Sequence, residues 1–489
     1  MPLCSFHPAP PERPRGWIGV LALCLLLSAC ASVAPEQDRE AVNALTEGRT
    51  AGVEAPLLRD PAAIEAAVAE LLRAPIGAPQ AVRLALLNNP NLQIALNRLD
   101  ISDAERVQAA RAPNPYLGIG RFTEGEKLEI ERLLRFDVVG LLFLPWKAQW
   151  QARQHTLARL EAAQTVVRLA TETRKAWVSA VAAQQMVEHL SQVLEAAQAG
   201  AALAQRMAQV GNFSRLQQAR EQLLQSDAAA QLARARHTAF VERERLTRLM
   251  GLWGDQAQYT LATRLPDLPA TLSPAMDVEA QALRERLDVR AALTESAHLA
   301  EALGVNQVAG YLSGSSLDVV ASSIFDNAAG TQESRRGVEI KVPLPVFDGG
   351  GARQARAQAE YQQSVSRLRE LGVRARSETR QAWHAWRTSY DLARLFRDEV
   401  VPLRKTISEE SLLRYNGMLT SVWALLGDVR QQSLSVSQAL EAQRDFWLAD
   451  ADLQLTLTGT SLAPLSPSST AGSAQRNRPA ALNTAPAGH

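Results

Sequence analysis

Small, apolar and polar positions recur in one heptad register in two stretches of the chain 206 residues apart. The pairs are Leu216/Val422, Ala219/Leu425, Leu223/Val429, Ser226/Gln432, Ala230/Val436, Ala233/Ala439, His237/Gln443 and Phe240/Phe446. The stripe predicts a coiled helix in each stretch, and its many small or polar members let helices approach closely while making a poor isolated core. The same offset superposes what comes before. Gln209-Val210-Gly211-Asn212-Phe213-Ser214 and Tyr415-Asn416-Gly417-Met418-Leu419-Thr420 each read as a helix-ending glycine, a two-residue link and an N-cap, Ser214 or Thr420, that opens the next helix. Proline is absent from Trp146 to Leu265, and Lys147 to Val210 holds one glycine, so this segment reads as one helix of about 64 residues, about 95 Å long. Gly351 to Asn416 repeats the plan, broken in composition only by Gly372 and Pro402. Helices of this length need a continuous partner rather than a compact core.

A second register, offset by 197, aligns Ala85-Leu86, Leu92 and Ala95-Leu96 with Ala282-Leu283, Val289 and Ala292-Leu293, which places a shorter helix at the start of each half. The β-prone sequence lies between the short and long helices: Tyr116 to Phe122 and about Leu128 to Leu144 in one half, Tyr311 to Phe325 and Gly337 to Phe347 in the other, with a loop over residues 326–333. Each half therefore reads helix, strand, strand, long helix, returning helix. The boundaries expected are 79–265 for the first repeat and 266–459 for the second. Strand pairs in a membrane must close into a barrel, and four are too few, so several chains are expected to share one.

The ends change the picture of compartment. Arg13 and Arg15 precede an uncharged run, Gly16 to Leu27, which reads as a signal peptide spanning residues 1–29. Leu27-Ser28-Ala29-Cys30 resembles a bacterial lipobox, making Cys30 the expected lipidation site and first mature residue, with a lead segment over 30–78. An ordinary signal peptide that leaves Cys30 as a free thiol is the alternative. Cys4 and Cys24 leave with the leader, so no intrachain disulfide can form. Residues 460–489 read as a disordered Pro/Ser/Ala/Gly tail.

Composition and chemistry remove other classes. With 46% apolar residues, 5% aromatic residues and a formal charge of +1, nothing argues for nucleic acid or an acidic substrate. Asp348-Gly349-Gly350-Gly351 matches neither GxGxxG nor a P-loop. The histidines His155, His189, His237, His298, His384 and His489 form no HExxH, and CxxC and GxSxG are absent. Trp383-His384-Ala385-Trp386 reads as packing on a long helix. No enzyme, cofactor or metal site is expected.

Three features together resemble the TolC-like outer-membrane efflux proteins, specifically their lipoprotein branch. They are Ala85-Leu86-Leu87-Asn88-Asn89-Pro90-Asn91-Leu92, the two Gly-x-x-Ser/Thr turns, and Pro343-Leu344-Pro345-Val346-Phe347-Asp348-Gly349-Gly350. The resemblance implies a mostly α fold with a small β part. Long antiparallel helical hairpins would form a periplasmic α-barrel about 100 Å long, and four strands per chain would join a trimeric transmembrane β-barrel. Pro345, Asp348, Gly349 and Gly350 would be the strand-to-helix elbow. The turns at Gly211, Ser214, Gly417 and Thr420 would dock a periplasmic adaptor, itself coupled to an inner-membrane pump. Trp423, Leu426 and Asp428 stand where some relatives carry an acidic tip constriction, so an acidic ring is not carried over. A lipid-anchored coiled-coil structural protein of the envelope is the reading from another class.

Overall fold

The computed structural model describes residues 33–50, 52–53, 60–124, 127–272, 277–312, 316–326, 330–341 and 350–462. The leader with Cys30, the elbow residues Pro345, Asp348 and Gly349, and residues 463–489 of the tail lie outside that set.

Helices α1 (Pro35–Thr46) and α2 (Pro61–Leu71) are followed by α3 (Ala78–Asn88) and α4 (Pro90–Ala109), then strands β1 (Tyr116–Glu124) and β2 (Lys127–Asp137). After a short helix α5 (Val138–Leu142) come α6 (Leu144–Gln209), a single helix of 66 residues, and α7 (Arg215–Met250). The same succession of elements then recurs: α8 (Val278–Glu285), α9 (Leu287–Leu312), β3 (Ser316–Asp326), β4 (Thr331–Lys341), α10 (Gly351–Leu395), α11 (Val401–Asn416) and α12 (Val422–Gln454). A π-turn over Phe396–Val400 joins α10 to α11 just ahead of Pro402, which cannot donate to an i−4 carbonyl.

Three element boundaries depart from the sequence reading. The β-prone run to Leu144 stops at Asp137, whose carboxylate accepts from the N–H of Gly140 (2.8 Å) and opens α5; an apolar run of this kind does not distinguish strand from helix by periodicity. The strand expected from Tyr311 begins at Ser316, because α9 continues to Leu312. The loop expected over 326–333 is shorter, with β3 running to Asp326 and β4 resuming at Thr331.

Two compact units divide the chain. One takes the residues up to Ala41 with Ala95–Arg159 and Thr294–Ser364; the other takes Val42–Ile94, Leu160–Leu293 and the residues from Val365 onward. The first holds a four-stranded antiparallel sheet in the order β1-β2-β3-β4. In the second, Trp177 on α6 packs with Val68, Ile76, Leu84, Leu246 and Met250, and its indole N–H donates to the carbonyl of Ile76 (2.9 Å). Ile76 also forms a parallel bridge to Leu261.

The Asn88-Asn89 pair gains a physical role in this second unit. Asn88 Nδ2 donates to the carbonyl of Gly251 (2.7 Å) and Asn89 Nδ2 to that of Leu249 (2.8 Å), which satisfies carbonyls left without intrahelical partners at the end of α7. Asn89 Oδ1 accepts from the N–H of Asn91 and so opens α4 as well. The equivalent break between α8 and α9 falls at Arg286, in the expected 197-residue register. Arg286 is fully buried, held bidentately by Asp288 (3.0 and 2.7 Å) and singly by Glu378 (3.1 Å).

Candidate functional site

The register of the sheet sorts its side chains by character. Leu117, Ile119, Leu134, Phe136, Leu317, Val319, Val338 and Ile340 share one face, in cross-strand rows such as Leu117↔Leu134↔Ala321 and Phe136↔Val319↔Val338. That face is the more exposed one: Ile119 is 72% and Val338 64% accessible. The opposite face carries Glu129, Glu131, Asp137, Asp318, Asp326, Glu333 and Glu339 with Arg135, Arg335 and Lys341, and it is the less accessible side, Asp318 being only 5% exposed. The polar face also carries Tyr116, Phe122, Leu133, Val320 and Ile324, but most apolar residues of the sheet lie on the more exposed face, which a sheet in water would bury. Strands of 9 to 11 residues also match the length of a tilted membrane-crossing strand. Among the described residues no helix is long and apolar enough to cross a membrane. Strands β1 and β4 lie at the two edges of the sheet.

The two helical turns close by the same hydrogen bonds but not at the same sequence positions. In the first, the N–H of Asn212 donates to the carbonyl of Met207 (2.9 Å) and that of Gly211 to Ala208 (3.1 Å), with Gly211 at φ +79°; Ser214 then caps α7, reciprocated by Gln217. In the second, the N–H of Leu419 reaches Arg414 (2.8 Å) and that of Met418 reaches Tyr415 (2.9 Å). Here Met418 takes the left-handed position at φ +59°, Gly417 sits at φ −80°, and Ser421, not Thr420, caps α12 through the N–H of Ala424.

The expected roles of Gly417 and Thr420 as helix-ending glycine and cap therefore pass one residue along, because α11 runs one residue further before the chain reverses. The structural offset is 207, and burial follows it: Ala228 and Ser435 are both buried, as are Leu246 and Leu453. By contrast, the sequence pair Phe240/Phe446 sets an exposed ring against a buried one.

Around the turns, Phe213 stacks on Trp423 with ring centroids 4.3 Å apart. Asp428 accepts from the hydroxyl of Ser411, and Arg430 pairs with Glu221, joining α12 to α7. Leu426 reaches toward Gly200 on α6, where an added Cβ would meet both Leu426 and Glu221. Met418 is 93% and Leu419 80% exposed, and Val210 is exposed as well, leaving apolar tips in solvent. Sequence reasoning singled out Trp423, Leu426 and Asp428 but not their partners, which lie on other helices with no local signal to mark them. Of the elbow, Gly350 is described, at φ +82° with its carbonyl accepting from Gln354 (3.0 Å).

The first unit contains a buried polar cluster that the sequence did not announce. Asp38 on α1, Asp103 on α4 and His155 on α6 present ligand-type atoms within 4.8 Å of one another. His155 Nε2 lies 2.9 Å from Asp38 Oδ1. Both carboxylates are already engaged by cations: Arg159 Nε donates to Asp38 Oδ1 (2.8 Å) and Arg106 Nε to Asp103 Oδ1 (2.9 Å). The backbone N–H of Ala34 donates to Asp103 Oδ2 (3.0 Å). Two arginines thus stand where a metal ion would bring charge, and the cluster works as an ion-pair clasp on the lead helix α1. Trp386 is likewise structural: it packs beside Tyr390 and Phe446, and its N–H donates to Asp450 (3.1 Å).

No protein-family model matches the chain, and no curated protein matches it. Solved structures do. The Campylobacter jejuni CmeC outer membrane channel aligns over 78% of this chain and 85% of its own, with TM-score 0.65 and 15% identity. The outer-membrane channel OprN aligns over 84% and 95%, with TM-score 0.63 and 18% identity. The open-state Neisseria gonorrhoeae MtrE outer membrane channel aligns over 78% and 88%, with TM-score 0.62 and 16% identity. The chain has the fold of these TolC-like outer-membrane channels, helical hairpins with a small antiparallel sheet.

Proposed function

We propose that the chain is the outer-membrane exit duct of a tripartite efflux or secretion system. Three copies would close their sheets into one barrel, Cys30 would carry the lipid anchor, and the helical hairpins would extend into the periplasm to meet an adaptor and an inner-membrane pump. The duct does no chemistry, and its driving energy comes from the pump. The observation that carries this reading is the inverted sheet, whose exposed face is apolar and whose strands have membrane-crossing length. The fold shared with solved outer-membrane channels supports it. The exposed apolar tips at Val210, Met418 and Leu419 support an adaptor contact there.

The test is reconstitution of the detergent-extracted protein into planar bilayers. Stable stepwise ion conductance is expected. A protein that gives no conductance, and that stays in the aqueous phase without detergent once Cys30→Ser removes the anchor, would instead be the lipid-anchored structural coiled coil.

A further inference from the structure

We propose that α5 and the first turn of α6 form a foot in the inner leaflet of the outer membrane, with Leu141 and Leu142 among the acyl chains and Trp146 and Lys147 at the phospholipid headgroups. The inference rests on the reading of the sheet as part of a barrel wall, and it assigns a lipid-contacting surface to helical residues beyond the strands.

The apolar band of the sheet runs to the end of the strands. On the side where the helices attach, Phe136, Val319 and Val338 share one rung, and Leu317 with Ile340 makes the next on that face. Strand β2 then passes through Asp137 into α5, which packs against β3. Local geometry decides which way this helix faces. Gly140 is buried, and its N–H is held by Asp137, whose side chain belongs to the polar face of the sheet. A Cβ at Gly140 would collide with that carboxylate and meet the ring of Pro113 at 3.3 Å. Leu142 comes two residues later, turned by about 200° at 3.6 residues per turn, and so points away from this packing. It is 71% exposed, and Leu141 is exposed beside it. The next turn brings Trp146, half-buried with its ring 6.0 Å from that of Trp150, and Lys147, exposed and paired with no carboxylate among the described residues.

Two adjacent exposed leucines followed one turn on by Trp and Lys have the chemistry of a membrane interface. Acyl chains take the leucines, the indole sits at headgroup level, and the ammonium on its long stem meets phosphate. The lead segment agrees with a bilayer surface at this level. Ala34 is bonded to Asp103, which stands about 9 Å short of the end of α4 at Ala109. Cys30 precedes Ala34 by four residues, a reach of at most about 14 Å, so the proposed lipid can enter the bilayer where the strands end.

The experiment reconstitutes the full chain in vesicles of phosphatidylethanolamine and phosphatidylglycerol whose acyl chains carry bromine, and compares fluorescence quenching by the bromolipid with quenching by aqueous iodide. Leu142→Trp and Ile119→Trp each add an emitter, the second on the apolar face of β1, while Trp146→Phe and Trp253→Phe each remove one, Trp253 being 80% exposed in the other unit. The emission added at Leu142 and at Ile119 should be quenched several-fold more by bromolipid than that of Trp253. Bromine near the headgroup end of the chains should act best on Leu142→Trp, and bromine near the chain ends best on Ile119→Trp. The emission lost in Trp146→Phe should have been open to both quenchers. If Leu142→Trp answers to iodide alone, the patch lies in water; if it answers to neither quencher, a second copy covers it. Either result, with Ile119→Trp still quenched by bromolipid, overturns the foot and leaves the barrel wall intact. Loss of bromolipid quenching at Ile119→Trp as well overturns both readings.

Discussion

Met418 holds a backbone conformation that a glycine would hold more easily, and this makes the second turn the strained one. A non-glycine residue in the left-handed region costs about 1 to 2 kcal/mol, whereas Gly211 fills the equivalent place in the first turn at φ +79°. Met418→Gly is therefore expected to raise the melting temperature or leave it unchanged, and to slow proteolysis at the turn. Gly211→Val should lower the melting temperature, while Gly417→Val, at φ −80°, should escape backbone strain. Circular-dichroism melting in detergent checks the order; strain at Gly417 and none at Gly211 would contradict the turn geometry. Gly251 is more demanding than either. It combines φ +68° with a space in which a Cβ would come 2.4 Å from the carbonyl oxygen of Asn88. Gly251→Ala should lower the melting temperature well beyond Gly211→Ala, whose Cβ meets nothing within 4 Å and which loses only the left-handed term.

At the scale of elements, α1 is fastened by Asp38 and Asp103, and the fastening depends on charge. Burial alone would raise the carboxyl of Asp103, but the hydrogen bond from Arg106, the N–H of Ala34 and the charges of Arg106 and His155 outweigh it and hold that group below its ordinary value. A folded-state value below the unfolded one gives stability that is complete above about pH 4, the unfolded value for Asp, and is lost as pH falls through the lower folded value. Cleavage of α1 by an acid protease should therefore accelerate only at acidic pH. Asp103→Asn should expose α1 to a neutral protease at pH 7, and protection unchanged in that variant would remove Asp103 from the clasp. The sequence made the long helices legible because proline and glycine are nearly absent from them, and it made the four strands legible as elements, with boundaries displaced by up to seven residues. It misplaced the second turn because Thr420 and Ser421 are adjacent hydroxyl residues, and because local propensity favours Gly417 over Met418 for positive φ. The clasp was illegible for a different reason: Asp38, Asp103 and His155 lie far apart in the chain, and no periodic signal links them.

The proposed lipid anchor at Cys30 would belong to the whole molecule, since it would decide which membrane face holds the chain. Palmitate labelling of the wild-type chain, abolished in Cys30→Ser, is expected; equal labelling of both would refute it. For the proposed duct, the oligomeric state follows from the sheet itself. Four strands of 9 to 11 residues cannot close, and β1 and β4 leave one edge each for another copy. Two copies would give eight strands, a barrel whose interior is just wide enough for side chains to fill. A duct needs a lumen, so three copies are the fewest that satisfy both closure and passage. Light scattering of the detergent-solubilised protein, with the detergent mass subtracted, should give close to three times the mass of the mature chain, and the species should dissociate on heating in SDS. Mutation of an edge strand provides the control: Ile119→Pro in β1 should shift the population to monomer, while Asn43→Ala in α1 should not. A folded monomer of the wild type, or a dimer that conducts, would break the argument at the step from four strands to a shared barrel.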